Sequence, residues 1–149
     1  MNTRRLITIL LFFVTFTVFS DTLTFSGIVT KIFDGDTVAI AVEKLPPGEN
    51  IKAIATPYAN KIFSDLPWTI KIRLHGIDAP EKGQAYSTKS KEYLRSLIFQ
   101  KEVMIKTNGE ISYDRLLAQI FLVPNKDDIG LKMLRNGMAW HYEYCTKIF

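Results

Sequence analysis

The sequence has few of the residues that cross-link a small fold or hold a transition metal. Cys145 is the only cysteine, so no disulfide can form within the chain. His75 and His141 are the only histidines, and their spacing offers no zinc site. The sequence also has no internal repeat and no low-complexity tract. A conventional hydrophobic core must therefore stabilise the domain.

The first twenty residues have the pattern of a secretory signal peptide. Arg4 and Arg5 precede the apolar run Leu6–Val18, and Ser20 provides a small residue before the expected cleavage point. The run is shorter than the roughly 20 residues that span a bilayer, although an uncleaved membrane anchor stays an alternative. We expect export to the periplasm or the medium, with no stable membrane association after cleavage. The net charge of +4 then falls to +2, because both arginines leave with the signal.

The remainder, Asp21–Phe149, is predicted to be one domain. Periodicity predicts strands at Leu23–Phe33, Thr37–Val42, Trp68–Leu74, Val103–Lys106 and Arg115–Val123. Helices are predicted at about Ser87–Phe99 and after Asp127 or Asp128, the second ending at Gly137. This order predicts an α+β fold: a five-stranded antiparallel OB-type β-barrel with two short helices. Between the second and third strands, Glu43–Pro67 is interpreted as an elaborated hairpin loop, in which only Ile51–Ala55 is strand-like.

Acidic residues stand beside two predicted turns. Asp36 follows Asp34-Gly35, and Asp78 opens the Asp78–Glu81 turn five residues after Arg73. Because Asp36 and Asp78 both lie at strand ends, we expect their carboxylates to converge on one hard cation, for which Ca2+ is the best candidate. Such a cation suits metal-assisted hydrolysis of a phosphate ester.

Three further side chains would complete that chemistry. Glu81 is placed to orient or deprotonate a water molecule. Arg73 and Arg115 provide planar donor groups that can neutralise charge on phosphoryl oxygens. Each of these residues alone is commonly found at a turn or on a surface, and the functional interpretation depends on their combination.

With these motifs together, the chain resembles the staphylococcal nuclease (thermonuclease) family from about Gly27 to Tyr144. The resemblance is carried by Asp34–Thr37, by Arg73 with Asp78–Glu81, by Tyr113-Asp114-Arg115 and by Gly137-Met138-Ala139. It implies a Ca2+-dependent nuclease that cleaves DNA, RNA or both with little sequence preference. No protein partner is evident from the sequence.

The resemblance also implies a role for each matching residue. Asp36 and Asp78 would bind Ca2+ through their side chains and Ala79 through its carbonyl group. Catalytic roles fall to Glu81, which would activate water, and to Arg73 and Arg115, which would bind phosphate. Tyr113 would contact the substrate, and Asp34 would hold the metal ligands in position without binding the metal itself.

Three features of the chain differ from the family pattern. The Glu43–Pro67 loop is far longer than the usual hairpin and could cover or reshape the site. Asp114 replaces the usual glycine before the second arginine, where it could pair with Arg115 or repel a phosphate. The third helix of the family has no counterpart before Phe149, which predicts uncovered apolar surface. Either the Glu43–Pro67 loop or a second copy of the chain is expected to cover it. The loop contacts would join Ile51, Ile54, Tyr58, Ile62 or Phe63 to Tyr142, Tyr144 or Phe149.

Two alternatives to an active nuclease stay open. One is an OB-type module that binds nucleic acid without cleaving it, with Tyr113, Trp140 and Tyr142 stacking on bases. The other is a truncated, inactive family member. A module that only binds nucleic acid would have no function for acidic groups next to a bound phosphate.

Overall fold

The computed structural model of the protein describes residues 22–57 and 65–142. Within these ranges the strands are β1 Leu23–Ile32, β2 Thr37–Val42, β3 Thr56–Pro57, β4 Trp68–Leu74, β5 Ile77–Asp78, β6 Glu102–Thr107, β7 Ile111–Ser112, β8 Arg115–Leu122, β9 Asp127–Asp128 and β10 Trp140–His141. The helices are α1 Glu49–Ile54, α2 Ser87–Ile98 and α3 Ile129–Arg135. In these same ranges, no helix has the length and apolar character needed to span a membrane. The proposed signal peptide lies outside the described residues.

The five long strands pair in a closed ring. β1 pairs with β2 and β6, β2 pairs with β4, and β6 pairs with β8, all antiparallel, whereas β4 and β8 are parallel. Strand directions cannot alternate at every pairing around a ring with an odd number of members, so at least one pair must be parallel. The α+β OB-type fold is confirmed. The four other pairings are antiparallel as predicted, and β4 with β8 is the parallel pair that closes the ring.

The interior of the ring is apolar, as the alternating strand pattern predicts. Every ring strand contributes fully buried side chains, among them Val29, Ile40, Ile72, Ile105, Leu116 and Ile120. The helix α2 adds Leu94 and Ile98, and α3 adds Ile129 and Met133. Tyr86 lies directly before α2 with a φ of 65°, and its side chain is largely exposed.

The helix α3 begins and ends where the sequence indicates. Asp128 caps its first turn by accepting a hydrogen bond from the backbone N–H of Leu131 at 3.0 Å. After its last residue, Gly137 has a φ of 65°, the left-handed conformation that favours glycine at the end of a helix.

The long connection between β2 and β4 contains a helix that the sequence analysis interpreted as strand-like. Ile51 and Ile54 are one turn apart in α1, and Ile51 is fully buried in the core next to β4. The apparent alternation of Ile51 with Ala53 misled the prediction, because a spacing of three also fits a helical face. The connection therefore contributes to the core. The predicted contacts of Tyr58, Ile62 and Phe63 with Tyr144 or Phe149 lie outside the described residues and stay predictions.

Candidate active site

The turn between β1 and β2 is fixed by close packing on α2. A Cβ atom on Gly35 would collide with Ser90 Oγ and lie 2.6 Å from Ala79 Cβ. Ser90 Oγ in turn donates a hydrogen bond to the carbonyl of Met138 at 2.7 Å. Asp34 Oδ1 accepts a hydrogen bond from the backbone N–H of Asp36 at 3.0 Å, which closes the turn. Glycine is therefore required for space at this turn, and the packing holds Asp36 in one position.

The carboxylate of Asp36 is buried and fully engaged. The residue is 2% exposed, and its Oδ1 accepts a hydrogen bond from Thr37 Oγ1 at 2.8 Å. Its Oδ2 accepts one from the backbone N–H of Ala79 at 3.2 Å. Arg73 Nη1 lies 3.0 Å from both Asp36 oxygens. Charged and neutral donors thus compensate the acidic group from several sides.

Arg73 joins the two acidic residues that the sequence predicts to converge. Its Nη1 contacts Asp36, and its Nη2 lies 2.6 Å from Asp78 Oδ1. The strand register explains this, because Arg73 on β4 stands opposite Thr37, the residue after Asp36. Asp78 is held from the other side by β10, where Trp140 is its pairing partner. Asp36 and Asp78 therefore both contact Arg73, and their convergence on a cation stays a prediction.

These contacts shift the pKa values of two groups. Burial raises the pKa of the Asp36 carboxyl to about 6, although Arg73 and the hydrogen bond from Thr37 act in the opposite direction. The negative charge of Asp34 raises it further. Burial disfavours the charged form of Arg73, but the charges of Asp36 and Asp78 outweigh burial and raise its pKa. Asp36 is therefore easier to protonate, and Arg73 harder to deprotonate, than the same groups in water.

Thr37 has a connecting role that the sequence analysis did not assign. Its hydroxyl group donates to Asp36 Oδ1 and accepts a hydrogen bond from Arg115 Nη1 at 3.3 Å. It thereby links the buried carboxylate to the second predicted arginine, which opens β8. The signal in the sequence was the position of Thr37 directly after Asp36, but only the pairing of β2, β4 and β8 shows what its hydroxyl group contacts.

A cleft of about 290 Å3 opens next to this cluster. The candidate side chains that line it are Arg73, Glu81, Tyr113, Arg115 and Tyr142. Glu81 and Tyr113 are exposed to solvent, Tyr113 to 92%. The backbone N–H of Glu81 donates to Gln84 Oε1 at 2.7 Å, which fixes the start of the segment before α2. The predicted general base Glu81 and the two predicted arginines, Arg73 and Arg115, therefore line the same cleft.

Asp114 does not occupy this cleft. Its Oδ2 accepts from Lys71 Nζ at 3.0 Å, and this hydrogen bond lowers the pKa of Asp114. The left-handed backbone conformation of the turn falls on Tyr113, with a φ of 59°, so Asp114 does not need the flexibility of glycine. Asp114 thus forms its ion pair with Lys71 and not with Arg115, and repulsion of a phosphate stays a prediction.

The donor set suits a hard divalent cation. Asp36 and Asp78 converge on one positive group and offer only oxygen atoms, as Ca2+ prefers. In ranges 22–57 and 65–142, no group of three or more His, Cys, Asp or Glu side chains is arranged to hold a metal ion. Further ligands would therefore be carbonyl, water or substrate oxygens. The Ala79 N–H contacts Asp36, and the ligand role of its carbonyl group stays a prediction.

The fold and the cluster define a class: an OB-type domain with two carboxylates and two arginines at one edge of the ring. The family described as "Staphylococcal nuclease homologue" matches residues 71–148, which include Arg73, Asp78–Glu81 and Arg115. The chain belongs to this family.

Several relatives carry nuclease names. The chain is 45% identical over 75 residues to an uncharacterized endonuclease of Haemophilus influenzae, covering 50% of this chain and 41% of that protein. It is 29% identical over 130 residues to a micrococcal nuclease of Shigella flexneri, covering 83% and 62%. It is 34% identical over 141 residues to a probable endonuclease of Schizosaccharomyces pombe, covering 85% and 59%. The chain thus spans between two fifths and two thirds of the lengths of these relatives.

Proposed function

We propose that the protein is a Ca2+-dependent nuclease that hydrolyses phosphodiester bonds of DNA, RNA or both with little sequence preference. The observation that carries this proposal is the joined cluster of Asp36, Arg73 and Asp78, linked through Thr37 to Arg115 and open to the cleft of Glu81. Family membership and the names of the relatives support the same activity.

Each side chain has a defined task in this reaction. Glu81 takes a proton from a water molecule, whose oxygen then forms a new bond to phosphorus. The bond to the leaving sugar oxygen breaks, and that oxygen takes a proton from solvent. Arg73 and Arg115 donate hydrogen bonds to the phosphoryl oxygens as negative charge develops on them. Ca2+ bound by Asp36 and Asp78 would neutralise charge on the phosphate.

The positions of the two arginines suit this division of tasks. Arg73 is held by two carboxylates, and its side chain is only 15% exposed, so its orientation is fixed before substrate arrives. Arg115 has a weaker partner, the neutral hydroxyl group of Thr37 at 3.3 Å. It can therefore exchange that contact for a phosphate oxygen at little cost. Tyr113 lines the cleft and is exposed, and we assign it a contact with the sugar or base.

Cleavage of closed-circular DNA tests the proposal. The purified protein should convert it to nicked and then linear forms with Ca2+ and leave it intact in chelator. Glu81→Gln should reduce the rate by a factor on the order of 10² to 10⁴, the usual contribution of a general base. Glu110→Gln, on an exposed turn, serves as the matched control and should keep the wild-type rate. Equal activity of the Glu81→Gln variant would contradict the assignment, and binding without cleavage by the wild type would favour the binding-module alternative.

We also propose that the protein is exported and that its signal is removed after Ser20. Support comes from the charged, apolar and small-residue succession of residues 1–20. The catalytic cluster suits that location, because its oxygen ligands match Ca2+, a cation more abundant outside cells than within them.

A further inference from the structure

A two-residue turn joins β7 to β8 and lies between two of the proposed site residues. Ser112 pairs with Arg115 across this hairpin, so Tyr113 and Asp114 alone form the turn. Tyr113 lines the cleft, and Arg115, the first residue of β8, lines it as well. The side chain of Asp114, between them, contacts a different strand. The conformation of this turn therefore determines where both cleft residues lie.

The backbone of the turn has a conformation that tyrosine rarely adopts. Tyr113 has a φ of 59°, in the left-handed region that favours glycine. Residues with a Cβ atom keep such a conformation only where surrounding contacts hold them. The side chain of Tyr113 is 92% exposed and supplies little packing of its own. Besides the backbone pairing of the hairpin, the side-chain contact that holds the turn is that of Asp114.

Asp114 attaches the turn to β4 through an ion pair with Lys71. Its Oδ2 lies 3.0 Å from Lys71 Nζ. The strand register brings the two residues together, because Ile72 of β4 is the partner of Leu116 in the parallel pair of β4 and β8. The Lys71 amine also lies 5.0 Å from the ring centroid of Phe33. Lys71 is therefore held by contacts on two sides, and the turn is attached to it.

Neighbouring positions of β4 thus hold both halves of the proposed site. Arg73 contacts the two carboxylates of the acidic cluster. Lys71 is two positions earlier, so its side chain lies on the same face of the strand, where it contacts Asp114. A single strand therefore sets the position of the cluster and of the turn that precedes Arg115.

We propose that Asp114, through its pair with Lys71, is a positioning residue that fixes the orientation of Arg115 toward the phosphate. The inference rests on the proposed nuclease function and adds to it a residue that acts through Arg115. The guanidinium group of Arg115 has a neutral partner, the Thr37 hydroxyl group at 3.3 Å, so its location depends on where the backbone of the turn is held. The Asp114 side chain is 67% exposed, so salt weakens the pair.

Hydrogen exchange in chelator tests the attachment of the turn without any cleavage. In Asp114→Asn, the backbone amides of residues 112–116 should exchange up to about fivefold faster than in the wild type, the size expected for an exposed ion pair. The difference should vanish in about 1 M salt, which screens the pair. The control Asp127→Asn breaks a 2.8 Å pair with Lys132 near the other end of β8 and should leave these amides unchanged. Equal exchange in Asp114→Asn and the wild type at low salt would overturn the proposal.

Single-turnover cleavage of single-stranded DNA with Ca2+ then tests whether Asp114 acts through Arg115. Asp114→Asn should lower the rate a few-fold at low salt, whereas Asp114→Glu, which keeps the charge, should retain most of the rate. In an Arg115→Lys background, Asp114→Asn should have no further effect, because the group that it positions is absent.

The outcomes separate this inference from the nuclease proposal. An equal loss from Asp114→Asn in both backgrounds, or faster cleavage by Asp114→Asn, would overturn the positioning role while the nuclease stands. A wild type that does not cleave DNA would reject the nuclease and, with it, this role.

Discussion

Replacing Asp36 by asparagine should stabilise the protein while abolishing its activity. Asp36 is almost fully buried, Arg73 contacts both Asp36 and Asp78, and the negative charge of Asp34 acts on Asp36 as well. Asparagine has nearly the same shape and removes one negative charge. Arg73 keeps a charged partner, because its Nη2 still contacts Asp78. Asp36→Asn, which removes a proposed metal ligand, is therefore expected to be more stable than the wild type.

The size of the effect follows from the pKa of Asp36. The folded protein raises this pKa from 3.8 to about 6, and one pKa unit corresponds to about 1.4 kcal/mol. Ionisation of Asp36 therefore costs the folded state about 3 kcal/mol at pH 7. The amide nitrogen of asparagine cannot accept the two hydrogen bonds that one Asp36 oxygen accepts, which costs about 2 kcal/mol in total. The expected net gain in the free energy of unfolding is about 1 kcal/mol.

The pH dependence distinguishes this cause from others. A carboxyl group whose pKa is raised by folding costs stability wherever it is ionised, so the cost is complete above pH 6 and vanishes below pH 3.8. The advantage of Asp36→Asn should accordingly be largest at pH 7 and shrink as the pH falls to 4. Urea unfolding in chelator measures it, with tryptophan fluorescence as the signal. Ca2+ should raise the unfolding midpoint of the wild type and not that of the variant.

Asp114→Asn is the matched control, since it removes an exposed carboxylate that pairs with Lys71 at the surface. It should leave both the stability and its pH dependence almost unchanged. The reasoning fails if Asp36→Asn destabilises the protein at pH 7, or if its gain is the same at pH 4 as at pH 7.

Four further predictions concern Arg115, Asp114, the turn at Gly35 and the N-terminus. Arg115→Lys should lower kcat by a factor on the order of 10³ with the fold intact, since lysine lacks the planar donor group. Asp114→Gly should change the rate only a few-fold, because Asp114 contacts Lys71. Single-turnover rates test both variants. A near wild-type rate for Arg115→Lys would refute the proposed role of Arg115 in binding phosphate. Gly35→Ala should destabilise the protein by about 1 to 3 kcal/mol through contact with Ser90 and Ala79, and a normal thermal midpoint would show that the turn tolerates a Cβ. Mass spectrometry of exported protein should find Asp21 as the first residue, whereas intact Met1 in a membrane fraction would support an anchor.

The sequence predicts the long strands of this fold because each has one face in the core. Thr37–Val42 and Trp68–Leu74 are observed with the predicted bounds, and α2 and α3 begin within a residue or two of theirs. The parallel pairing of β4 with β8 was not predicted, although the odd number of strands requires it. The helix α1 was missed because six residues with two isoleucines fit a strand and a helix equally well.

The composition of the candidate site was predictable, but its contacts were not. Motifs identified Asp36, Arg73 and Asp78 as chemically unusual, and the structure brings all three together. The hydroxyl bridge of Thr37 depends on the register of three strands, which no local pattern specifies. The pairing of Asp114 with Lys71 likewise joins residues 43 positions apart in sequence. Local sequence thus predicts which residues form the site, but it does not predict which of their atoms are in contact.

The rate of Ca2+-dependent hydrolysis of a defined single-stranded DNA by the wild type and by Asp78→Asn tests the central claim most directly. Asp78 contacts Arg73 and is a proposed ligand of the cation. Loss of a group that only orients a metal ligand costs about 10- to 100-fold, so loss of a ligand should cost more than about 100-fold. Asp127→Asn, which removes an exposed carboxylate paired with Lys132, should keep the full rate. Cleavage by Asp78→Asn at the wild-type rate, or wild-type cleavage that continues in chelator, would contradict a metal-dependent nuclease centred on this cluster.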